Sequence, residues 1–347
     1  MSDELREGLL IWGAGAIGGL LGAYLVRAGI PVQLVDTAAD HVAAVRERGM
    51  KVTTSRETFV TQLPICTPAE LEGCWKYAVL TVKAQYTDVA AAALAEHVSA
   101  DGAVLALQNG MPEGILEGYF PRPRIFVTFV NIASDYLAPG ELREALVGPI
   151  PIGPVDGAGD AAHLAAFVDF LRPLSPGAFA TPNIQSHIWA KHCLNTLLST
   201  SSIAMSPLAE VVARPDLEPV WRGLITEALS VALAAGITPR PIGPLDVMAF
   251  APGAPADAGT AYIQAAATMG GPKTHSGSWR DLAVLKRKPE SAHLMRPIVE
   301  RGAKLGVDCP RIAAVVDIVE AIERGERVQS DDHLLTLLHP MPLARAS

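Results

Sequence analysis

The chain has 347 residues, half of them hydrophobic and 18% charged, with 36 acidic side chains against 28 basic ones and a formal net charge of -8. That length exceeds one ordinary core and suits two domains, while the acidic balance disfavours nucleic acid as a general partner, since a polyanion would be repelled on average. Cys66, Cys74, Cys193 and Cys309 lie far apart without CxxC or Cys/His spacing, so neither a disulfide framework nor a metal site is expected, and reduced thiols fit a cytoplasmic protein.

In chain order, the first element is "GLLIW" (8–12), a short apolar run of the kind that forms a strand buried on both faces. The glycine pattern G-x-G-x-x-G follows directly as Gly13, Ala14, Gly15, Ala16, Ile17 and Gly18. Leu9 to Val26 is an uncharged stretch near the lower length limit for a membrane span. The polar, acidic "MSDELREG" before it and the lack of a partner span favour a strand, a glycine turn and a helix instead, so no membrane is expected. In such a unit Gly13 makes the tight turn, Gly15 admits a pyrophosphate to the backbone, and Gly18 lets helix and strand pack closely. The helix start directs its N–H groups and positive dipole end at the phosphates.

"IPVQLVD" (30–36) is a second strand, ending in Asp36, where a dinucleotide fold places the acid that accepts from ribose hydroxyls. A carboxylate there repels a 2′-phosphate, and Thr37, Ala38 and Ala39 supply no cation, so Asp36 favours NADH over NADPH. Two further buried-strand runs, "YAVLTVKA" (77–84) and "AVLALQNG" (103–110), end in polar residues: Lys83 in the first, Gln108 and Asn109 in the second. Ligands of open α/β sheets sit at such carboxyl ends. Residues 124–154, with a turn at Pro139-Gly140, are expected to complete the sheet with antiparallel additions.

Beyond residue 183 the periodicity becomes helical, with helices expected over 187–205, 217–235, 290–305 and 310–324. The stretch 250–277, rich in Ala, Gly and Pro, is expected to be a long loop or a loosely helical excursion. The fold class that follows is α/β, with a Rossmann dinucleotide-binding domain over 1–182 and an all-helical domain over 183–347 for substrate binding or dimerisation. Within "HIWAKHCLNTLLS" (187–199), His187, Lys191, Asn195 and Ser199 make one polar stripe without an acid, opposite Ile188, Ala190, Leu194 and Leu197. From the helix alone, a solvated face and a functional stripe are equally open.

These motifs together resemble the 2-dehydropantoate 2-reductases (ketopantoate reductases) over nearly the whole chain. "GAGAIGG", "TVKAQYTD" and "LQNGMPEG" are similar to that family's cofactor side, "WAKHCLNTLLS" to its catalytic helix, and "SGSWRDLAVLKRKPE" with "GAKLGVDCPRI" to its C-terminal signature. The resemblance implies reduction of a branched 2-keto acid to the 2-hydroxy acid, usually with NADPH. Lys191 would then be the general acid, a cation able to give a proton to the developing alkoxide, with Asn195 orienting it and the substrate. It also implies that Asn109 touches the nicotinamide and substrate, Lys83 the cofactor, and Glu290 the substrate hydroxyl or cofactor ribose. Ser278, or Ser276 in its place, would hold the substrate carboxylate. His187 and His192 are expected to be packing or surface residues, and the basic residues of 280–288 a solvated face.

Three departures bear on substrate choice. Ser199 stands where the family usually has a second asparagine, "PE" replaces the usual "TE" before the last helices, and Asp281 is spaced one residue wider from Glu290. Two alternatives remain beside the reductase: another hydroxyacid or opine dehydrogenase, which would use a histidine base, and a non-enzymatic nucleotide sensor, which has no need of Lys191 and Asn195. The apolar helix faces are compatible with a homodimer as well as with a core.

Overall fold

A computed structural model describes residues 5–155, 157–268 and 274–340. The chain divides into two compact units, Met1–Ile184 and Gln185–Ser347.

The first unit runs β1 (Leu5–Trp12), α1 (Gly18–Arg27), β2 (Val32–Val35), α2 (Ala39–Arg48), β3 (Met50–Thr53), β4 (Thr58–Thr61), β5 (Ile65–Cys66) and β6 (Cys74–Leu80). It continues through α3 (Thr87–Ala95), β7 (Val98–Leu107), α4 (Glu113–Leu116), β8 (Ile125–Thr128), β9 (Ile132–Ala138), β10 (Glu141–Val147), β11 (Pro151–Pro154), α5 (Ala161–Leu171) and β12 (Phe179–Ala180). Eight strands form one sheet in the order β12-β11-β8-β7-β6-β1-β2-β5. All its pairings are parallel except β11 on β8. Successive residues of a strand point to opposite faces, and Leu9, Leu10 and Ile11 are all fully buried, so both faces of β1 are covered. Leu20, Leu21 and Leu25 of α1 and Phe167 and Leu171 of α5 share that core. The uncharged stretch at Leu9–Val26 is thus the end of β1, a turn and most of α1, and no described helix is long and apolar enough to cross a membrane.

The expectation for residues 124–154 needs correction. β8 and β11 do complete the large sheet, but β9 and β10 leave it for a second, four-stranded sheet in the order β4-β3-β10-β9. The hairpin was legible because Gly140 takes φ +77° in its turn; its partner sheet was not. β3 and β4 are four residues each, and the pairing is made by long-range contacts such as the Lys51 amide donating to the Gly140 carbonyl at 2.8 Å. Nothing local in either segment encodes that choice.

The second unit is helical: most of α6 (Ile184–Thr200), then α7 (Leu208–Ala213), α8 (Glu218–Ala234), α9 (Ala256–Thr268), α10 (Gly277–Ala283), α11 (Ser291–Leu305), α12 (Pro310–Glu323) and α13 (Asp332–Thr336). The helix expected to reach residue 205 ends at Thr200 and tightens into a 3-10 turn, Ser201–Ile203. The stretch 250–277 contains a regular helix, α9, which buries Tyr262, Ile263 and Ala266; its residues 269–273 lie outside the described ones. Alanine-rich sequence has high helix propensity, and tertiary burial supplies what its weak periodicity does not.

One buried carboxylate fastens two of these helices. Glu227 of α8 accepts from the backbone N–H groups of Arg311 (3.1 Å) and Ile312 (3.0 Å), capping α12 from outside where Pro310 opens it. Burial pushes its carboxyl pKa up, and these amides together with the Arg311 guanidinium pull the other way. Replacing Glu227 with leucine strands two amide donors, and the expected cost is about 2 kcal/mol in urea unfolding. An unchanged midpoint would show that α12 is held without this cap.

Candidate active site

The glycine turn is built on one rung of the large sheet. Trp12 of β1 is paired with Val35 of β2 on one side and with Leu80 of β6 on the other, so Gly13, Asp36 and Thr81 are the first residues beyond three adjacent parallel strands. The chain order reverses between β1 and β6, which makes this edge the topological switch point where open α/β sheets bind ligands.

Each glycine of the motif has a different physical reason. Gly13 has φ +104°; its N–H donates to the Val35 carbonyl at 2.8 Å, and its own carbonyl accepts from the Thr81 hydroxyl at 2.6 Å. A Cβ on Gly18 would sit 1.9 Å from the Gly13 carbonyl oxygen, so α1 can leave β1 this closely only without a side chain there. Gly15 is the opposite case: its φ is ordinary and a Cβ would meet nothing within 4 Å. The fold does not require glycine at 15, and the open space beside its backbone suits a group that must approach closely, as a pyrophosphate does. The first turn of α1 has no acidic residue and no side-chain cap, which suits the same anion. A dinucleotide therefore fits the residues present, and Gly13, Ala14, Gly15, Ala16, Ile17 and Gly18 are the candidates that would cradle it.

Asp36, half-buried, is engaged within this loop. Its Oδ2 accepts from the Ala14 N–H at 2.8 Å and its Oδ1 from the Ala38 N–H at 2.9 Å. Each carboxylate oxygen keeps a further lone pair, so ribose recognition stays open to it alongside its role in tying the glycine turn to the end of β2.

Lys83 and Asn109 each lie three residues past the same rung, the Leu80–Ala106 pairing of β6 and β7. Lys83 is half-buried and precedes the 3-10 turn Ala84–Tyr86. Asn109 is half-buried, and its Oδ1 is enclosed without a hydrogen-bond partner among the described residues. Between them Gln108, 2% exposed, donates through Nε2 to the Val82 carbonyl (2.7 Å) and the Thr87 hydroxyl (3.0 Å), fixing the two strand ends to each other.

In the second unit the polar stripe of α6 is not a solvated face. Asn195 and Ser199 are buried, 5% and 4% exposed, and the Asn195 Nδ2 has no hydrogen-bond partner among the described residues. Lys191 keeps some accessible surface yet is enclosed enough for desolvation to lower its ammonium pKa to about 8. The neighbouring His192 is buried, with neither ring nitrogen partnered among the described residues; burial, aided by Arg301, drives its pKa to about 3. It is a neutral imidazole at any working pH.

The elements carrying the remaining candidates are fastened near the exit of α6. The Ser202 hydroxyl lies 3.3 Å from that of Ser291, the first residue of α11 and the neighbour of half-buried Glu290. The Trp279 indole N–H donates to the Ala204 carbonyl at 2.9 Å, docking α10 with Ser276 and Ser278. Ser276 is the N-cap of α10, its hydroxyl accepting from the Trp279 N–H at 3.2 Å, which gives it a structural task; Ser278 lies in the first turn. The basic residues of 280–288 are mostly exposed, but the Arg287 Nε donates to buried Asp281 at 2.7 Å.

The sequence profile described as "Ketopantoate reductase PanE/ApbA" matches residues 9–157, and that of "Ketopantoate reductase PanE/ApbA C terminal" matches residues 183–323. The chain belongs to the ketopantoate reductase family. A 2-dehydropantoate 2-reductase of Archaeoglobus fulgidus is 28% identical over 320 residues, covering 91% of this chain and 97% of that one. The crystal structure of a PanE/ApbA family ketopantoate reductase from Ralstonia eutropha is 26% identical, with TM-score 0.77 over 92% of this chain and 99% of the other. A D-mandelate dehydrogenase in ternary complex with NADH and anilino(oxo)acetate has the same fold, with TM-score 0.79 at 24% identity over 91% and 98% of the two chains. The protein is accordingly an NAD(P)-dependent oxidoreductase of the ketopantoate reductase family.

Sequence reading missed Thr81 as a builder of this edge, and it singled out Gln108 as a polar strand end without its tie to Val82 and Thr87. Their hydrogen bonds join strands distant in sequence, and a lone threonine or glutamine at a strand end carries no pattern that announces them. The contrast between the glycines is testable. Gly18→Ala should lower stability by about 1–3 kcal/mol through overpacking against the Gly13 carbonyl. Gly15→Ala should leave the thermal midpoint within about 2 °C and instead weaken NADH and NADPH binding about tenfold, measured by nicotinamide fluorescence. A stability loss at Gly15 equal to that at Gly18 would remove the ligand as the reason for its glycine.

Proposed function

We propose that the protein reduces a branched 2-keto acid to the 2-hydroxy acid with NADH or NADPH, the substrate being 2-dehydropantoate or a close analogue. The observation that carries this reading is Lys191, an ammonium brought by desolvation to about 8 and followed one turn later by the enclosed, unpartnered Asn195 amide. The nicotinamide, when bound at the glycine edge, supplies the hydride. As charge builds on the keto oxygen, Lys191 Nζ donates its proton there, and a pKa near 8 makes that donation easier than from an ordinary lysine while keeping the group charged at neutral pH. Asn195 directs the ammonium and offers an N–H to the substrate. We assign Ser278, with Ser276 as substitute, to the substrate carboxylate, Ser199 to the substrate side of the stripe, Glu290 to the product hydroxyl or cofactor ribose, Asn109 to nicotinamide and substrate, and Lys83 to the cofactor.

A histidine-based dehydrogenase is disfavoured on α6, because His192 is held neutral to about pH 3 and burial also lowers His187. A pure nucleotide sensor leaves the desolvated Lys191 without a purpose. Asp36 favours a second reading within the same chemistry: a 2-hydroxyacid dehydrogenase that uses NADH and a bulkier keto acid, in the manner of the NADH-bound D-mandelate dehydrogenase that shares its fold. Oxidation of NADH and NADPH at 340 nm with 2-dehydropantoate and with benzoylformate separates the two. Turnover of 2-dehydropantoate supports the first reading, selective turnover of benzoylformate with NADH supports the second, and no turnover of any 2-keto acid sinks both.

Lys191→Ala should lower kcat by about 10²–10⁴-fold while cofactor affinity stays within about twofold. Equal loss of both would remove Lys191 from the role of acid. Because the charged form is the proton donor, the rate of reduction should be high below pH 8 and fall as pH rises through about 8. A profile flat to pH 10 would contradict the assignment.

A further inference from the structure

Ala14, between the first two glycines of the motif, is held through both of its backbone polar groups. Its N–H donates to Asp36 Oδ2 at 2.8 Å, and its carbonyl lies 2.9 Å from Nε2 of His41, in the first turn of α2 and 1% exposed. The other ring nitrogen fixes the tautomer. Nδ1 lies 3.0 Å from the backbone N–H of Gly140 and 3.3 Å from the Tyr136 hydroxyl. An amide nitrogen can only donate, so Nδ1 is the acceptor and the ring proton is on Nε2, donated to Ala14.

We propose that His41 is a positioning residue for the dinucleotide: by holding the Ala14 carbonyl inward, it turns the Gly15 N–H outward to meet the pyrophosphate. The peptide between Ala14 and Gly15 is trans and planar, so the Gly15 N–H points opposite to the Ala14 carbonyl. With that carbonyl drawn to a buried imidazole, the N–H faces the other way, on the residue whose Cβ would meet open space. The next peptide is fixed as well, because the Gly15 carbonyl accepts the first helical bond from Gly19 at 2.9 Å. Glycine at 15 allows either orientation of this peptide at little cost, so an external tie is needed to select one. The tie is anchored in turn: Gly140, which donates to His41, accepts from the Lys51 amide, so the second sheet holds the imidazole from behind. That gives the β9–β10 hairpin a task at the cofactor edge.

This inference rests on the dinucleotide reading of that edge, and paired variants separate the two. An asparagine in place of His41 can reproduce the Nδ1 acceptor toward Gly140 but not the Nε2 donor, while a glutamine there can reach Ala14 but lacks the Gly140 contact. In the full chain, His41→Asn should raise the Kd for the preferred reduced dinucleotide about tenfold and His41→Gln by less than about threefold. Reduced nicotinamide mononucleotide, which has no pyrophosphate, should bind or turn over equally well with all three proteins. Equal effects of the two variants, no effect of either, or parallel weakening of the mononucleotide would overturn the role of His41. If the asparagine variant does not fold, wild-type protein labelled with ¹⁵N-glycine gives the answer: inorganic pyrophosphate should shift the Gly15 amide, and an unmoved Gly15 signal at saturation would overturn the proposal. Failure of the wild type to bind either dinucleotide would reject the cofactor reading along with it, whereas dinucleotide binding insensitive to His41→Asn rejects this inference alone.

Discussion

The rest of the sheet's carboxyl edge depends on one close approach, that of Gly18 to the Gly13 carbonyl. Because no Cβ intervenes, α1 starts immediately beyond β1, and its first turn is brought to the carboxyl edge of the sheet. The rung of Trp12, Val35 and Leu80 then places Asp36 and Thr81 on either side of the turn, one accepting an amide from it and the other donating to its carbonyl. A helix N-terminus, a carboxylate and a fixed loop are thereby assembled from three strands by backbone register and two side-chain hydrogen bonds.

The second unit poses a different problem, that of holding a cation away from bulk water. The stripe of α6 carries polar groups into an enclosed setting, where an ammonium is less stable than in water and so titrates lower. The same burial that brings Lys191 near working pH removes His192 from acid-base chemistry altogether. Desolvation thus acts on two adjacent residues of one helix with different consequences, leaving the lysine to titrate close to neutral pH and the histidine uncharged.

Some of the structure was legible because its causes are local. The run Leu9–Ile11 announces a strand covered on both faces, the glycine spacing announces the turn, and the apolar spacing of Ile312, Val315, Val316 and Val319 announces α12, where all four are buried. Other features were not legible because their causes are remote. The partner sheet of β9 and β10 is chosen by contacts with β3, and the regularity of α9 by burial of Tyr262 and Ile263. The burial of Asn195 and Ser199 is of the same kind, since a polar stripe reads alike whether it faces solvent or a packed neighbour.

By itself the sequence determined the α/β order of the first unit, the helical second unit, the glycine turn after the first strand and the family resemblance, since these follow from periodicity and from residue types that only certain backbone geometries require. Tertiary structure alone decided that the fold requires glycine at 18, where a Cβ would strike the Gly13 carbonyl, and leaves open space at Gly15. It also decided that a histidine on α2 grips the Ala14 carbonyl, and that Lys191 titrates near 8. Each of these depends on what stands a few ångströms away in space, and residues far apart along a chain leave no mark of that distance in its order.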